Sequence, residues 1–157
     1  MVVAVEPVTI ASVVEGHGEV RALPVLLRRM AAAIAPESSL RLPQPHRVPK
    51  SKLVKSGALE SAIAAWFLAS APSLAGSRRL PSDLAAPDDP EGIRGAKEWL
   101  TKQMTSARPY KETVDQAALT SQLDLAMVRR KSPSFDKLWR DVERLLATDR
   151  EQDRYEQ

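Results

Sequence analysis

The sequence V-T-I-A-S-V-V-E-G-H-G-E at residues 8–19 defines the architecture of the first part of the chain. Its first seven residues are mostly β-branched, which predicts a buried parallel strand. Gly16 and Gly18 then predict a tight turn. Leucines and alanines from residue 20 onward predict a helix, and we place its start within residues 20–23 because Pro24 fits best in a first turn.

Two carboxylates frame this turn. Ligands of open α/β sheets bind beyond the carboxyl ends of parallel strands, so Glu15, directly after the strand, is positioned for function. Glu19 could join it in holding a hard cation such as Mg²⁺, although the dipole of a helix also favours a carboxylate at its N-terminus. We therefore predict Glu15 and Glu19 as candidate catalytic and metal-binding residues. His17 could contact phosphate or a metal, or have no special role.

The segment 38–59 is basic and contains no acidic residue; its charged residues are Arg41, Arg47, Lys50, Lys52 and Lys55. Such a segment would suit a phosphate-bearing partner. We predict nucleic-acid contacts for Arg47, Lys50, Lys52 and Lys55, the alternative being solvated loop charges. The prolines of 41–49 limit this part to an edge strand or an extended loop.

Beyond residue 58 the sequence predicts helices and no convincing strand. An apolar face predicts a helix at 58–71, and Asp89 is the expected cap of a second helix that ends at Met104. Thr113 and Ser121 are expected to open two short helices, with Asp115 and Asp124 as capping residues. Pro133 begins the clearest helix, and its apolar stripe predicts core positions at Phe135, Leu138, Trp139, Val142, Leu145 and Leu146.

Composition excludes several classes of protein. With 157 residues, 43% hydrophobic and 27% charged, the chain has the size of one globular domain. The absence of cysteine excludes a disulfide framework, a zinc ribbon and a thiol nucleophile. No P-loop, dinucleotide fingerprint or serine-hydrolase elbow is present. No apolar run approaches the roughly 18 residues of a membrane helix, and no secretion signal is recognisable, so we expect a cytoplasmic, non-membrane protein.

The segment V-V-E-G-H-G-E-V-R-A-L-P-V-L-L-R-R at residues 13–29 resembles the opening of a TOPRIM-like domain family of unknown function. That family is related to nucleases of the overcoming-lysogenization-defect (OLD) type. The similarity continues in R-V-P-K-S-K-L-V-K (47–55), W-F-L-A (66–69), I-R-G-A-K-E-W-L (93–100), V-D-Q (114–116) and S-P-S-F-D-K-L-W (132–139).

The chain departs from this family at one place. In TOPRIM-like proteins a later strand ends in an Asp-x-Asp pair that joins the first glutamate in binding magnesium. That strand should lie between Leu59 and Trp66, where its two flanks are joined directly. Ala64 and Ala65 also replace an acidic residue that typically precedes the W-F-L-A segment. One strand and one edge segment cannot form a stable sheet, so either helices supply the core or the fold is compromised.

The resemblance implies an α/β fold in three parts. A reduced TOPRIM-like strand-turn-helix unit at 1–71 is followed by a mainly α-helical C-terminal part at 90–148 and a polar, disordered tail at 149–157. The parts are expected to form one compact domain.

The resemblance also implies an ancestral role in Mg²⁺-dependent cleavage of DNA or RNA, in bacterial phage defence beside an ATPase. Three functions follow: a shortened TOPRIM-like protein with little or no catalysis, an active nuclease with a substitute site, or a non-enzymatic protein that binds nucleic acid or a partner such as an ATPase. The substitute site would combine Glu15 and Glu19 with Asp115 or Asp88.

Overall fold

The computed structural model describes residues 7–48, 58–105 and 108–155. Within them the chain has a mixed α/β fold in which helices dominate. The strands are short: β1 (Val8–Thr9), β2 (Val13–Val14), β3 (Leu40–Arg41) and β4 (His46–Arg47). The helices are α1 (His17–Ile34), α2 (Ala58–Ala69), α3 (Ala71–Leu74), α4 (Ala96–Gln103), a π-helix (Glu112–Gln116), α5 (Ala117–Thr120), α6 (Leu125–Lys131) and α7 (Pro133–Tyr155).

The strands form two parallel pairs, β1 with β3 and β2 with β4. Val8 pairs with Leu40 in the first, and Val14 pairs with Arg47 in the second. The predicted strand at 8–14 is therefore divided in two. The segment between β3 and β4 is one residue longer than the segment between β1 and β2, which interrupts the register. As predicted, the proline-rich segment contributes no more than short edge strands.

Helix α1 begins at His17, earlier than its predicted start at 20–23. Gly16 is the N-cap residue, and its backbone N–H donates a hydrogen bond to the carboxylate of Glu19 in the first turn. This bond satisfies one of the N–H groups that a helix start leaves without an intrahelical partner. The helix can therefore begin before Pro24, which lies inside it and removes one backbone hydrogen bond.

Helix α4 begins at Ala96, so the prediction of a helix capped by Asp89 is wrong. Gly95 precedes it with φ +73°, in the left-handed region that favours glycine. Asp89 instead stabilises a turn, since its Oδ1 accepts the N–H of Gly92 at 3.1 Å. The left-handed conformation of Gly95 therefore separates this turn from α4.

The two short helices that were expected to begin at Thr113 and Ser121 also begin at other residues. Thr113 lies inside the π-helix, and the carboxylate of Asp115 accepts the N–H of the preceding N-cap residue Lys111 at 3.0 Å. Asp124, not Ser121, is the N-cap of α6, and its Oδ1 accepts a first-turn N–H. Asp115 and Asp124 thus both accept an N–H at a helix start, but Thr113 and Ser121 do not open these helices.

Helix α7 begins at Pro133, as predicted. Most of its apolar stripe is buried, whereas Leu145 is 51% exposed. The buried members of the stripe are Phe135, Trp139, Val142 and Leu146. The helix continues to Tyr155, so the backbone is helical over most of the segment 149–157, where we predicted a disordered tail.

The core is mainly helical, as the missing strand leads us to expect. Helix α1 packs on the π-helix, α5 and α7, and α2 packs on α4, α6 and α7. Trp66 of α2 meets Phe135 of α7 edge to face, with 5.2 Å between ring centroids. Among the described helices, none has the length and apolar character needed to cross a membrane.

Candidate functional site

An open groove lies between the first turn of α1 and β4, the parallel partner of β2. Because these strands are parallel and Val14 pairs with Arg47, Glu15 and Arg47 are brought to one edge of the ribbon. A further ladder bond follows Arg47, since Val48 N donates to Val14 O at 2.8 Å. The groove has a volume of about 480 Å³ and is lined by His17, Val20, Gln44, Pro45, His46 and Arg47.

The groove has the properties of an anion-binding surface. Arg47, His46 and His17 are exposed, and His17 is the first residue of the long helix α1. The positive end of the helix dipole therefore lies beside a guanidinium and two imidazoles. Of the predicted nucleic-acid contacts, the structure places Arg47 here, while Lys50, Lys52 and Lys55 lie outside the described residues. His17, which the sequence alone left undecided, lines the groove together with His46.

The two predicted metal ligands are both buried, Glu15 at 6% and Glu19 at 1% exposure. Glu19 accepts the N–H of Gly16 at 2.5 Å and so stabilises the start of α1. This is the structural role that the helix dipole predicted for it. Glu15 directly follows β2, at the position expected of the first acidic residue in a TOPRIM-like protein.

A magnesium site of the kind that the resemblance implies would need more ligands than Glu15 and Glu19. Such a site needs several oxygen ligands. Residues 7–48, 58–105 and 108–155 contain no group of three His, Asp or Glu side chains that could hold a metal ion. Glu15 and Glu19 remain the predicted pair, and Glu19 already serves the helix start.

The substitute site predicted from Asp115 or Asp88 also finds no support in these residues. Asp88 is exposed in the loop before α4. Asp115 is fully buried and receives two hydrogen bonds from the guanidinium of Arg108, at 2.8 and 3.0 Å. Burial raises the pKa of Asp115, but the hydrogen bonds from Arg108 and from the N–H of Lys111 outweigh it and hold that pKa below its ordinary value.

A small cleft of about 190 Å³ lies on the other side of the first turn of α1, beside Gly18. Glu60 of α2 and Glu112 of the π-helix line it. The ammonium of Lys97, from α4, forms ion pairs with both carboxylates. These three residues are far apart in sequence and match no motif, so sequence reasoning missed them. These ion pairs connect α2, α4 and the π-helix beside α1.

Comparisons of the chain with protein-family models, with curated proteins and with solved structures find no match. The fold and the groove are therefore described by their own geometry, and the TOPRIM-like family stays a prediction from the sequence.

Proposed function

We propose that this chain is a TOPRIM-like protein that binds nucleic acid through the phosphate backbone and has little or no nuclease activity of its own. The observation that carries the proposal is the groove between the first turn of α1 and β4, where Arg47, His46 and His17 are exposed together. The groove is open and polar, which suits a chain of phosphates better than a small apolar ligand.

The chemistry of the groove supports a phosphate ligand. The guanidinium of Arg47 can form two parallel hydrogen bonds to phosphate oxygens, and imidazole N–H groups can add further donors. The N-terminus of α1 adds a favourable dipole. Lys50, Lys52 and Lys55 follow Arg47 closely in sequence and extend the basic character of the segment. Electrostatic contacts of this kind are independent of base sequence.

The state of the carboxylates supports weak or absent catalysis. Metal-assisted phosphoryl transfer requires carboxylates that are available to the ion. Glu19 is engaged by Gly16, and Asp115 by Arg108. The Asp-x-Asp pair of the resembled family has no counterpart in the sequence. An ATPase partner stays a prediction of the resemblance.

Binding can be tested by fluorescence anisotropy with labelled single-stranded DNA, duplex DNA and single-stranded RNA of equal length, over a series of salt concentrations. Each phosphate contact adds about 0.9 to the slope of log K against log salt for duplex DNA. We expect Arg47→Ala to lower that slope by about one contact and to weaken binding about tenfold at 50 mM salt.

Arg130→Ala is the matched control, because Arg130 is also an exposed arginine but lies in the last turn of α6. We expect it to leave the affinity unchanged. Equal effects of the two substitutions would contradict the groove as the binding site. No binding to any of the three probes at 50 mM salt would overturn the proposal as a whole.

The catalytic part of the proposal needs a separate assay. The purified chain is incubated with the same probes and millimolar Mg²⁺ or Mn²⁺, and the products are resolved on a denaturing gel. We expect no cleavage above that of a Glu15→Gln variant purified in parallel. Cleavage by the wild type that Glu15→Gln abolishes would overturn the statement that catalysis is lost.

A further inference from the structure

A second basic surface lies in the loop after α3, in the sequence S-R-R-L at residues 77–80. Arg78 and Arg79 both have positive φ, 46° and 68°. Side chains other than glycine, asparagine and aspartate rarely adopt this left-handed conformation, because Cβ approaches the following carbonyl oxygen. Two consecutive arginines with positive φ are therefore strained, and strain of this kind is concentrated at functional sites.

The contacts of Arg79 account for its own conformation. Its Nη1 donates to the carbonyl of Arg108 at 2.7 Å, and its carbonyl accepts the N–H of Thr105 at 2.9 Å. Its guanidinium also lies 3.7 Å from the carboxylate of Asp115. Arg79 thus ties the loop to the segment that leads into the π-helix.

Arg78 differs from its neighbour in that its side chain is exposed. Its guanidinium makes a long hydrogen bond, 3.3 Å, to the carbonyl of Val114, itself an exposed residue. A bond at this distance and in water contributes little to stability. Glycine or asparagine would adopt the same backbone more easily. The folding of the loop therefore does not explain why an arginine occupies this position.

Three arginines are gathered near one carboxylate. The guanidinium groups of Arg79 and Arg108 contact Asp115, which is buried, and Arg78 contacts the carbonyl of the residue before it. The neighbouring carboxylate of Glu112 pairs with Lys97. Three guanidinium groups thus stand against the one carboxylate of Asp115, so the group carries a net positive charge. We call Arg78, Arg79 and Arg108 the arginine cluster.

The geometry points to the arginine cluster as a second phosphate-binding surface for the same nucleic-acid strand, an inference that rests on the proposed function. The π-helix beside the cluster packs directly on the first turn of α1, where an ideal Cβ on Gly18 would lie 2.9 Å from the backbone of Glu112. His17, one residue earlier, lines the groove. The groove and the π-helix that the cluster contacts thus adjoin the same helix turn.

The partner is identified by charge complementarity. A polyanion with regularly spaced phosphates can contact both basic surfaces at once, and guanidinium groups form paired hydrogen bonds with phosphate oxygens. Contact at two sites also raises the effective concentration of the second one after the first is occupied. The cluster therefore strengthens binding without reading base sequence.

The strain at residue 78 allows a test that separates a binding role from a structural one. In Arg78→Gly the backbone loses its steric strain, so the melting temperature should remain the same or rise by about 2 °C. Affinity for single-stranded DNA should fall about tenfold at 50 mM salt, because one phosphate contact is lost. Arg78→Lys, which keeps the charge and the strain, should retain most of the affinity.

The other outcomes are equally decisive. Unchanged affinity in Arg78→Gly would overturn the inference while leaving the groove proposal intact, provided that Arg47→Ala still weakens binding. The reverse pattern, an effect at Arg78 but not at Arg47, would support the cluster and overturn the groove. Binding to polyglutamate that matches binding to DNA would identify a general acidic partner and overturn the nucleic-acid assignment.

Discussion

The carboxylate of Glu19 accepts a hydrogen bond from the backbone N–H of Gly16 at 2.5 Å. This bond links the end of the strand segment to the first turn of α1, and both partners belong to the sequence E-G-H-G-E. A residue that resembles a metal ligand in sequence is thereby a helix cap in the fold. The bond uses Oε2 of this carboxylate.

Replacing Glu19 by alanine should destabilise the protein by about 1 to 2 kcal/mol, because the N-cap N–H loses its acceptor in a buried place. Chemical denaturation followed by circular dichroism measures the change. We expect the loss to be the same with and without 5 mM Mg²⁺, since a cation that binds only the native state must raise its stability.

Measuring unfolding with and without Mg²⁺ also tests whether Glu19 is instead a metal ligand. If Mg²⁺ stabilises the wild type and both Glu19→Ala and Glu15→Gln abolish that stabilisation, the two residues are ligands. The capping role would then be secondary. A Glu19→Gln variant, which keeps an acceptor oxygen, should recover part of the stability in the capping case only.

Gly18→Ala should destabilise the protein by about 1 to 2 kcal/mol. A Cβ at this position would lie 2.2 Å from Oε1 of Gln116 and 2.7 Å from Cβ of Glu112, so the π-helix would have to shift. The direction of the change in stability is informative, because alanine in an unobstructed helix stabilises it by about 1 kcal/mol relative to glycine. A stabilised variant in a urea titration would show that α1 and the π-helix do not pack as described. Adding Gln116→Ala should recover part of the loss.

Asp115→Asn should cost about 2 kcal/mol at pH 7, because the paired hydrogen bonds from Arg108 lose their charged acceptor. Solvent screens the ion pair of Arg108 and Asp115, because the Arg108 side chain is 36% exposed, and this limits the loss of stability. Urea denaturation of the wild type and the variant gives the difference in the free energy of unfolding. Asp83→Asn, at an exposed loop carboxylate, is the control and should have no effect.

The contribution of Asp115 should depend on pH in a defined direction. The folded pKa lies below its ordinary value, so the unfolded chain binds a proton at higher pH than the native one. The stabilisation is complete above the unfolded pKa of about 3.9 and is lost as pH falls through the lower folded pKa. The difference between wild type and Asp115→Asn should therefore be constant from pH 7 to about pH 5 and shrink below about pH 4. A difference that grows on acidification would contradict the ion pair.

Glu91→Ala should destabilise the start of α7 by about 1 kcal/mol. Glu91 lies outside that helix, but its Oε1 accepts the N–H of Ser134 at 3.0 Å and the hydroxyl of Ser134 at 2.6 Å. Burial raises the pKa of Glu91, but the hydrogen bonds from Ser132 and Ser134 together have the larger effect and hold that pKa below its ordinary value. The loss in the free energy of unfolding should therefore diminish below about pH 4.

Glu98→Ala is the matched control for Glu91, since Glu98 is exposed in the first turn of α4. We expect a change of a few tenths of a kcal/mol at most. Emission of Trp66 offers a second measurement, because its indole N–H donates to the hydroxyl of Ser134 at 2.9 Å. An unchanged stability in Glu91→Ala would show that water replaces this carboxylate at the helix start without cost.

Periodic apolar residues made the helices and most of the core predictable. Ile63, Trp66 and Phe67 recur at helical spacing and are all buried in α2. The boundaries were less predictable, since they depend on which group satisfies the free N–H groups at a helix start. Thr113 and Ser121 have suitable side chains for capping, but Asp115 and Asp124 contact the N–H groups in the folded chain.

The individual residues of the candidate site were predictable where they lie in a recognisable local segment, but their proximity was not. Glu15 and Arg47 were both singled out, and parallel pairing of β2 with β4 brings them to one edge. The arginine cluster was not predicted, because its members come from two separate loops and the strain at Arg78 is a property of the backbone angle φ. Residue identity alone does not reveal that angle.

Side-chain branching and apolar spacing act locally, so they set the order of the elements, from a β-branched segment through a glycine-rich turn into amphipathic helices. The role of each charged group depends on the tertiary structure. The carboxylates of Glu19 and Asp115 are identical in chemistry, and their roles differ because packing places one against a helix N–H and the other against Arg108. A buried charge takes the partner that packing offers it, since leaving it unpaired costs more free energy than any local preference supplies.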